Sequence, residues 1–264
     1  MHEPLPDTDK DRPYWRNVEA YDFAQILNAA QWAWEFLRRN RDYRTDWQWF
    51  DTTWRALEHD YGAPPSRDFF NWKRDPRAWR NPLEIESGQC VEEACAPSQD
   101  EQLLIECWMG ERWGFHKFPP DPHLSSLQLE SSPAWRPHER GSRLLREKNE
   151  EYFKPGSGKI ALGIDLALPL AEQLDEAKRL VVVMQRRLQK EGALRPASVS
   201  SWRRTWIACL RLLDGEQQQA SHAELSRSLC SEADHCGFAL EELRAVAHRL
   251  VERDYRIIAW FTER

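Results

Sequence analysis

The sequence predicts a mainly α-helical protein: a Trp-rich helical hairpin module with a small β-hairpin, then a C-terminal three-helix unit preceded by an extra strand and a long helix. Three observations carry this. Apolar residues recur at helical spacing from Phe23 to Tyr61 and again from Leu170 to Leu250. Proline clusters, such as Pro119, Pro120 and Pro122, separate the periodic stretches. Eleven of the fourteen tryptophans fall before residue 136, which concentrates large apolar side chains in the first half.

Taken in order, residues 1–17 hold three prolines and many charges without periodicity, so a flexible arm is expected. Phe23, Leu27, Ala30, Trp34 and Leu37, widened by Ile26, Ala33 and Phe36, predict a helix of about five turns that stops at Asn40. Thr45 and Gln48 form a capping-box pattern that would open a second helix. Trp47, Phe50, Trp54, Leu57 and Tyr61 share one face of it, and Gly62, Pro64 and Pro65 end it. The two helices would pair as an antiparallel hairpin. In "QWAWEFLRRNRDYRTDW", Trp34, Phe36 and Trp47 lie on the stripes each helix must bury. Trp32 remains free, and Arg38, Arg39, Arg41 and Arg44 cluster at the hairpin tip. They could meet phosphate there, although helix C-termini favour cations in any case.

Downstream, "RDFFNWKRDPRAWRNPLEIE" lacks a clean period and reads as loop, and "QLLIECWMGERWGFHKF" reads as two short strands around Gly110. Residues 119–142 are a linker by their proline and serine content. The expected division is an arm at 1–17, a Trp-rich module at 18–118, a linker at 119–142 and a C-terminal domain at 143–264. In that domain Ile160, Leu162, Ile164 and Leu166 alternate as in a strand. A long helix over 169–190 follows with Leu170, Leu174, Ala177, Leu180, Val181, Met184 and Leu188. Three helices come next: 201–214, burying Trp202, Trp206, Cys209, Leu210 and Leu213; 221–230, opened by Ser221 and Glu224; and 240–253. "YRIIAWF" reads as a closing strand or wing.

The net charge is -6, but residues 143–264 carry 20 basic against 18 acidic groups and the preceding part 17 against 25. The C-terminal half is thus the candidate for an anionic partner, while residues 81–111, with eight acids and no base, would repel one. No apolar run approaches the ~20 residues of a membrane span, and the first residues show no secretory pattern. A cytoplasmic protein with six reduced cysteines and no membrane contact is expected.

Gly158 and Lys159 suggest a phosphate loop, but Phe153 stands where its first glycine belongs and Ile160 replaces the hydroxyl residue. Cys90, Cys95, Cys107, His116 and His123 lack the paired spacing of zinc ligands. Cys230, His235 and Cys236 beside Asp234 read as a polar loop. No nucleophile adjoins a base, so neither a metal, a cofactor nor catalysis is expected.

In the last helix Leu243, Val246, Ala247 and Leu250 take the packed face, Arg244 and His248 share the outward one, and Arg249 and Arg253 flank it. That is the division of labour in a helix-turn-helix, where the third helix enters the major groove. Arg203, Arg204 and Arg227 could then hold phosphates from the first two helices. A plain helical bundle with a solvated basic face fits the same spacing. "SEADHCGFA" is longer than the usual connecting turn and adds Glu232 and Asp234.

"YDFAQILNAAQWAWEFLRRNRDYRTDW", followed by "RWGFHKFPPDPHLSSLQLESSPAWRP", resembles the transcriptional regulator-like domain family of proteobacterial mobile elements, whose hallmark is an aromatic "WAWEFLRRN-x-x-YR" segment. The tail from "TWIACLRLLDGEQQQASHAELSRSLC" to "LRAVAHRLVERDYRIIAW" is similar to the helix-turn-helix-like domain, formerly of unknown function, that often follows it. The pairing resembles activators of excision and transfer genes in integrative and conjugative elements. The resemblance implies a cytoplasmic transcriptional regulator that binds double-stranded promoter DNA and meets RNA polymerase or a small anti-activator. The alternative is a protein-interaction module of anti-activator type that binds another regulator without touching DNA.

Overall fold

The computed structural model describes residues 13–82, 102–116, 118–136, 160, 162–195, 197–229 and 238–263. The helical class holds, with one small two-stranded sheet. The expected five-turn first helix is instead two pieces. A 3-10 segment, Val18–Ile26, is capped by Asn17 and gives way at extended Leu27. Helix α1, Ala29–Leu37, then starts afresh, because Asn28 accepts from the Gln31 amide while the Gln31 side chain accepts from the Asn28 amide.

Asn40, expected as a stop, is the cap that opens α2, Arg41–Tyr61: its Oδ1 accepts from the Tyr43 amide at 3.0 Å. Thr45 therefore lies inside the helix, where its hydroxyl donates to the Arg41 carbonyl. Gly62 closes α2 with a φ of +81°, which glycine reaches without strain. No antiparallel hairpin forms. Helix α1 turns its faces to the C-terminal helices, whereas α2 packs on α3, Phe69–Trp72, and on α4, Ile105–Trp113.

Helix α4 replaces the expected strand pair around Gly110. Its end is Gly114, at a φ of +85°, and Gly110 sits in the helix at a point where a Cβ would come 2.8 Å from the Phe115 carbonyl oxygen. The sheet is formed by distant partners, with β1, Trp79–Arg80, antiparallel to β2, Leu103–Leu104.

Residues 118–136, linker-like by composition, form a strap over α1. Trp34 Nε1 donates to the Leu124 carbonyl and Trp135 Nε1 to the Ala30 carbonyl. Their prolines supply fixed turns and free carbonyl oxygens rather than slack.

In the C-terminal part, residues 162–165 form no strand, and Leu162 and Leu166 are exposed. The long helix α5, Leu170–Lys190, buries none of its residues. Helix α6, Val199–Gln217, and α7, His222–Leu229, follow, the latter opened by the predicted Ser221–Glu224 box. Helix α8, Leu240–Arg249, runs through a π-helical turn, Leu250–Asp254, into α9, Tyr255–Ile258. The expected closing strand is thus mostly helical. Only Thr262 bridges in strand fashion, to Ser198. Helices α6, α7 and α8 pack on one another, with Leu210, Leu225, Leu229, Leu243 and Ala247 buried between them.

One apolar core runs through both halves. Trp32, expected to be free, is wholly buried and meets Trp206 of α6 at a ring-centroid distance of 5.2 Å. Trp15 of the expected arm is buried as well, its carbonyl accepting from Arg211 Nε. Gly215 makes this approach possible, since a Cβ there would lie 2.7 Å from Leu225 and 3.0 Å from Trp15. Residues 1–12 lie outside the described residues.

Candidate nucleic-acid interface

The arginines of the hallmark segment divide in two. Arg41 is exposed, but Arg38 and Arg39, expected at a solvated tip, are buried. Arg39 donates from Nε to Asp214 Oδ1 and from a terminal nitrogen to Oδ2, each at 2.8 Å, a two-pronged pair that ties α1 to α6. Its remaining nitrogen donates to the Glu35 carbonyl and carboxylate at 2.6 and 2.8 Å. Glu35 also accepts from Arg38 and, at 2.8 Å each, from the Ser126 amide and hydroxyl on the strap. Tyr21 completes the group by donating to Asp214 at 2.7 Å.

Burial alone would raise the Glu35 carboxyl. The positive charges of Arg38 and Arg39 and the Ser126 amide outweigh it and hold the group at about 2. Burial works against a charged Arg39 too, but Asp214 and Glu35 more than compensate, so its pKa lies above the ordinary value. Burial beside Asp214 pushes the Tyr21 hydroxyl far up, fixing it as a donor. None of these groups is open to a ligand. Their task is to lock the first helix, the strap and α6 into one unit.

The surface cations follow a different pattern. Arg244 and His248, one turn apart on α8, both reach Glu216 of α6, Arg244 Nε at 2.6 Å and His248 Nε2 at 2.9 Å. Arg244 also donates to Glu241 at 2.5 Å, and the bond to Glu216 is the chief reason its pKa lies above the ordinary value. Arg249 and Arg253 both face Asp254, at 3.6 and 3.7 Å. His248, Arg249 and Arg253 are exposed. Arg227 is exposed at the end of α7. On α6, Arg204 is exposed, whereas Arg203 is half-buried with its Nε enclosed and unbonded, a posture that turns it toward the protein. The structure thus gathers Arg244 with His248 and Arg249 with Arg253, each pair on a shared acid.

Spacing did not reveal Glu35, Asp214, Tyr21 or Ser126. A usable signal was present, since Glu35 in "WAWEFL" and Asp214 in "LRLLDG" interrupt apolar runs, and a charge so placed needs a partner.

Cys107, His116 and His123 are exposed and form no metal-binding group among the described residues; Cys90, Cys95, Gly158, Lys159, Cys230, Glu232, Asp234, His235 and Cys236 lie outside them. Among the described residues no helix is long and apolar enough to cross a membrane.

Residues 14–64 match the family model of the proteobacterial transcriptional regulator-like domain. Searches of the curated proteins and of the solved structures return no match. The matched segment covers the 3-10 turn, α1 and α2, and so contains Glu35, Arg38 and Arg39. It supports a regulatory role.

Proposed function

We propose, with the regulator-like domain at residues 14–64 as premise, that the chain is a DNA-binding transcriptional regulator of a bacterial mobile element, acting in the cytoplasm on excision or transfer genes. The observation that carries the reading is the packing of that domain, through Arg39 and Asp214, onto a three-helix unit whose last helix carries half-buried Arg244 and exposed His248 and Arg249, with exposed Arg253 on the π-helical turn that follows. Helix α8 would enter the major groove of promoter DNA in the manner of a helix-turn-helix. Arg204 and Arg227 would clamp phosphates, and Arg203 would contribute least because it is half-buried. A phosphate can take the place of the Glu216 carboxylate between Arg244 and His248, since both anions offer paired oxygens to the same donors. The Trp-rich module would meet RNA polymerase or a small anti-activator. The role requires no cofactor and no catalysis.

A specific observation favours a second reading. Glu216, Glu241 and Asp254 neutralise the α8 cations from within the chain, and Glu242 adds a further negative charge at the front of the helix. A module so balanced suits a protein partner, such as another regulator.

Footprinting of the purified protein on its own upstream region separates the two. Protection of a defined site, with affinity falling steeply as salt rises, supports the DNA reading. Arg244→Ala is then expected to weaken that site by about 1–3 kcal/mol and barely to alter binding to random DNA. Equal loss on both would make Arg244 a phosphate clamp. No retardation at low salt, with capture of a second regulator, would favour the protein-interaction reading.

A further inference from the structure

Helix α5 is the one long described helix with no buried residue, and no described element lays a face along it. Leu170, Leu174 and Met184 are each about half exposed, at 47%, 56% and 47%. Most helical stability in proteins comes from packing of an apolar face, so an apolar stripe left open calls for a covering surface. The stripe has a definite period. Leu170, Leu174, Ala177, Val181, Met184 and Leu188 alternate four-residue and three-residue steps, the spacing of a coiled-coil seam, which Leu180 widens on one flank.

We propose that α5 pairs with α5 of a second copy of this chain as a short parallel two-stranded coiled coil. The flanks of the seam argue for an identical partner in that orientation. In parallel register Gln173 lies beside Lys178 of the second copy and Leu180 beside Gln185 of the second copy, so no like charges meet. In antiparallel register Lys178 would face its own counterpart at the centre. Two further charges are paired within the chain, Arg179 with Glu176 at 3.7 Å and Arg187, on the flank of the seam, with Glu191 at 2.8 Å. Two 21-residue helices joined along this stripe bury about 1,000 Å2, near the floor for a specific association. The pairing sends both three-helix units to the same end, because only eight residues separate α5 from α6. This inference stands independently of DNA binding, and its test contains no DNA.

The test is sedimentation equilibrium of the full chain at low to tens of micromolar concentration. The expected mass is twice the 31.2 kDa of one chain. Leu174→Asp with Met184→Asp should weaken self-association about a hundredfold or more, since each places a carboxylate in the apolar seam. Val183→Asp, next to Met184 but off the seam and 66% exposed, should leave it intact. A Leu170→Cys chain under oxidation should cross-link residue 170 to residue 170 of the second copy, identified by peptide mass. This arm reads the pairing even where the double variant fails to fold. A monomeric wild type, a dimer that survives the double variant, loss with Val183→Asp alone, or the absence of the 170–170 link would each overturn the proposal.

Discussion

Two arginine–carboxylate networks of similar geometry sit on opposite sides of the solvent boundary. Arg39 and Asp214 meet at 2.8 Å with side chains essentially closed to water, while Arg244 and Glu216 meet at 2.6 Å with a quarter of each side chain still exposed. Distance does not separate them; environment does. A buried pair loses its hydration on folding, so removing one partner leaves an uncompensated charge in a poorly polarisable medium. A pair at the surface is screened and contributes less than about 1 kcal/mol. The first network can therefore hold the fold and cannot exchange its partners. The second can trade a carboxylate for a phosphate at small cost. One arginine-rich chain thus uses the same contact as a closed anchor in one place and leaves it open to solvent in another.

The largest effect expected is on the buried side. Arg39→Met should cost about 3–5 kcal/mol in urea unfolding, and adding Asp214→Leu should restore much of the loss, because the stranded carboxylate is then gone. A cost below about 1 kcal/mol would erase the contrast between the two networks.

Acid offers the next test. The Glu35 carboxyl is held at about 2 in the folded chain, below its ordinary 4.5. A depressed folded value means that this stabilisation is complete above about pH 4.5 and is lost as pH falls toward 2, a change of about 3 kcal/mol. Glu35→Gln should flatten that part of the stability profile. An unchanged profile would mean that other carboxyls dominate.

A smaller effect separates the two candidate caps of α2. Asn40→Ala should cost about 1 kcal/mol, and Thr45→Ala should stay within about 0.5 kcal/mol, in thermal unfolding. The reverse order would place the helix start where spacing alone suggested it.

Glu216→Gln should leave stability within about 1 kcal/mol of wild type. Its binding effect sharpens the comparison from the other side. With the competing charge removed from Arg244 and His248, affinity for promoter DNA should rise several-fold at low salt, read by retardation. Unchanged affinity would detach that cluster from DNA recognition.

What the sequence made legible was local. The stripes of α2, the Gly62 stop, the Ser221–Glu224 box and the packed face Leu243–Ala247–Leu250 depend on neighbours a few residues away, and all appear as expected. Helix α4 was misread because its apolar residues, Ile105 and Trp108, crowd toward Gly110, which looks like a turn until Gly114 is seen to end the helix. The long-range pairs were out of reach for a simpler reason. Arg39 and Asp214 are 175 residues apart, and Glu35 and Ser126 are 91. No periodicity connects residues so distant; only the odd placement of an acid among apolar neighbours hinted at them. For the candidate interface, the sequence placed Arg244 and His248 on a common face. It did not place Glu216 between them, because that acid comes from another helix.

The contact of Trp32 with Trp206 has a consequence for any shortened version of the chain. Helices α6 to α9, produced without the first half, would carry a vacant socket lined by Trp206 and Tyr255, and a free α1 segment would be its natural plug. Halves made apart should therefore find each other in solution, and an intact chain whose α1 loosens could lend that helix to its neighbour.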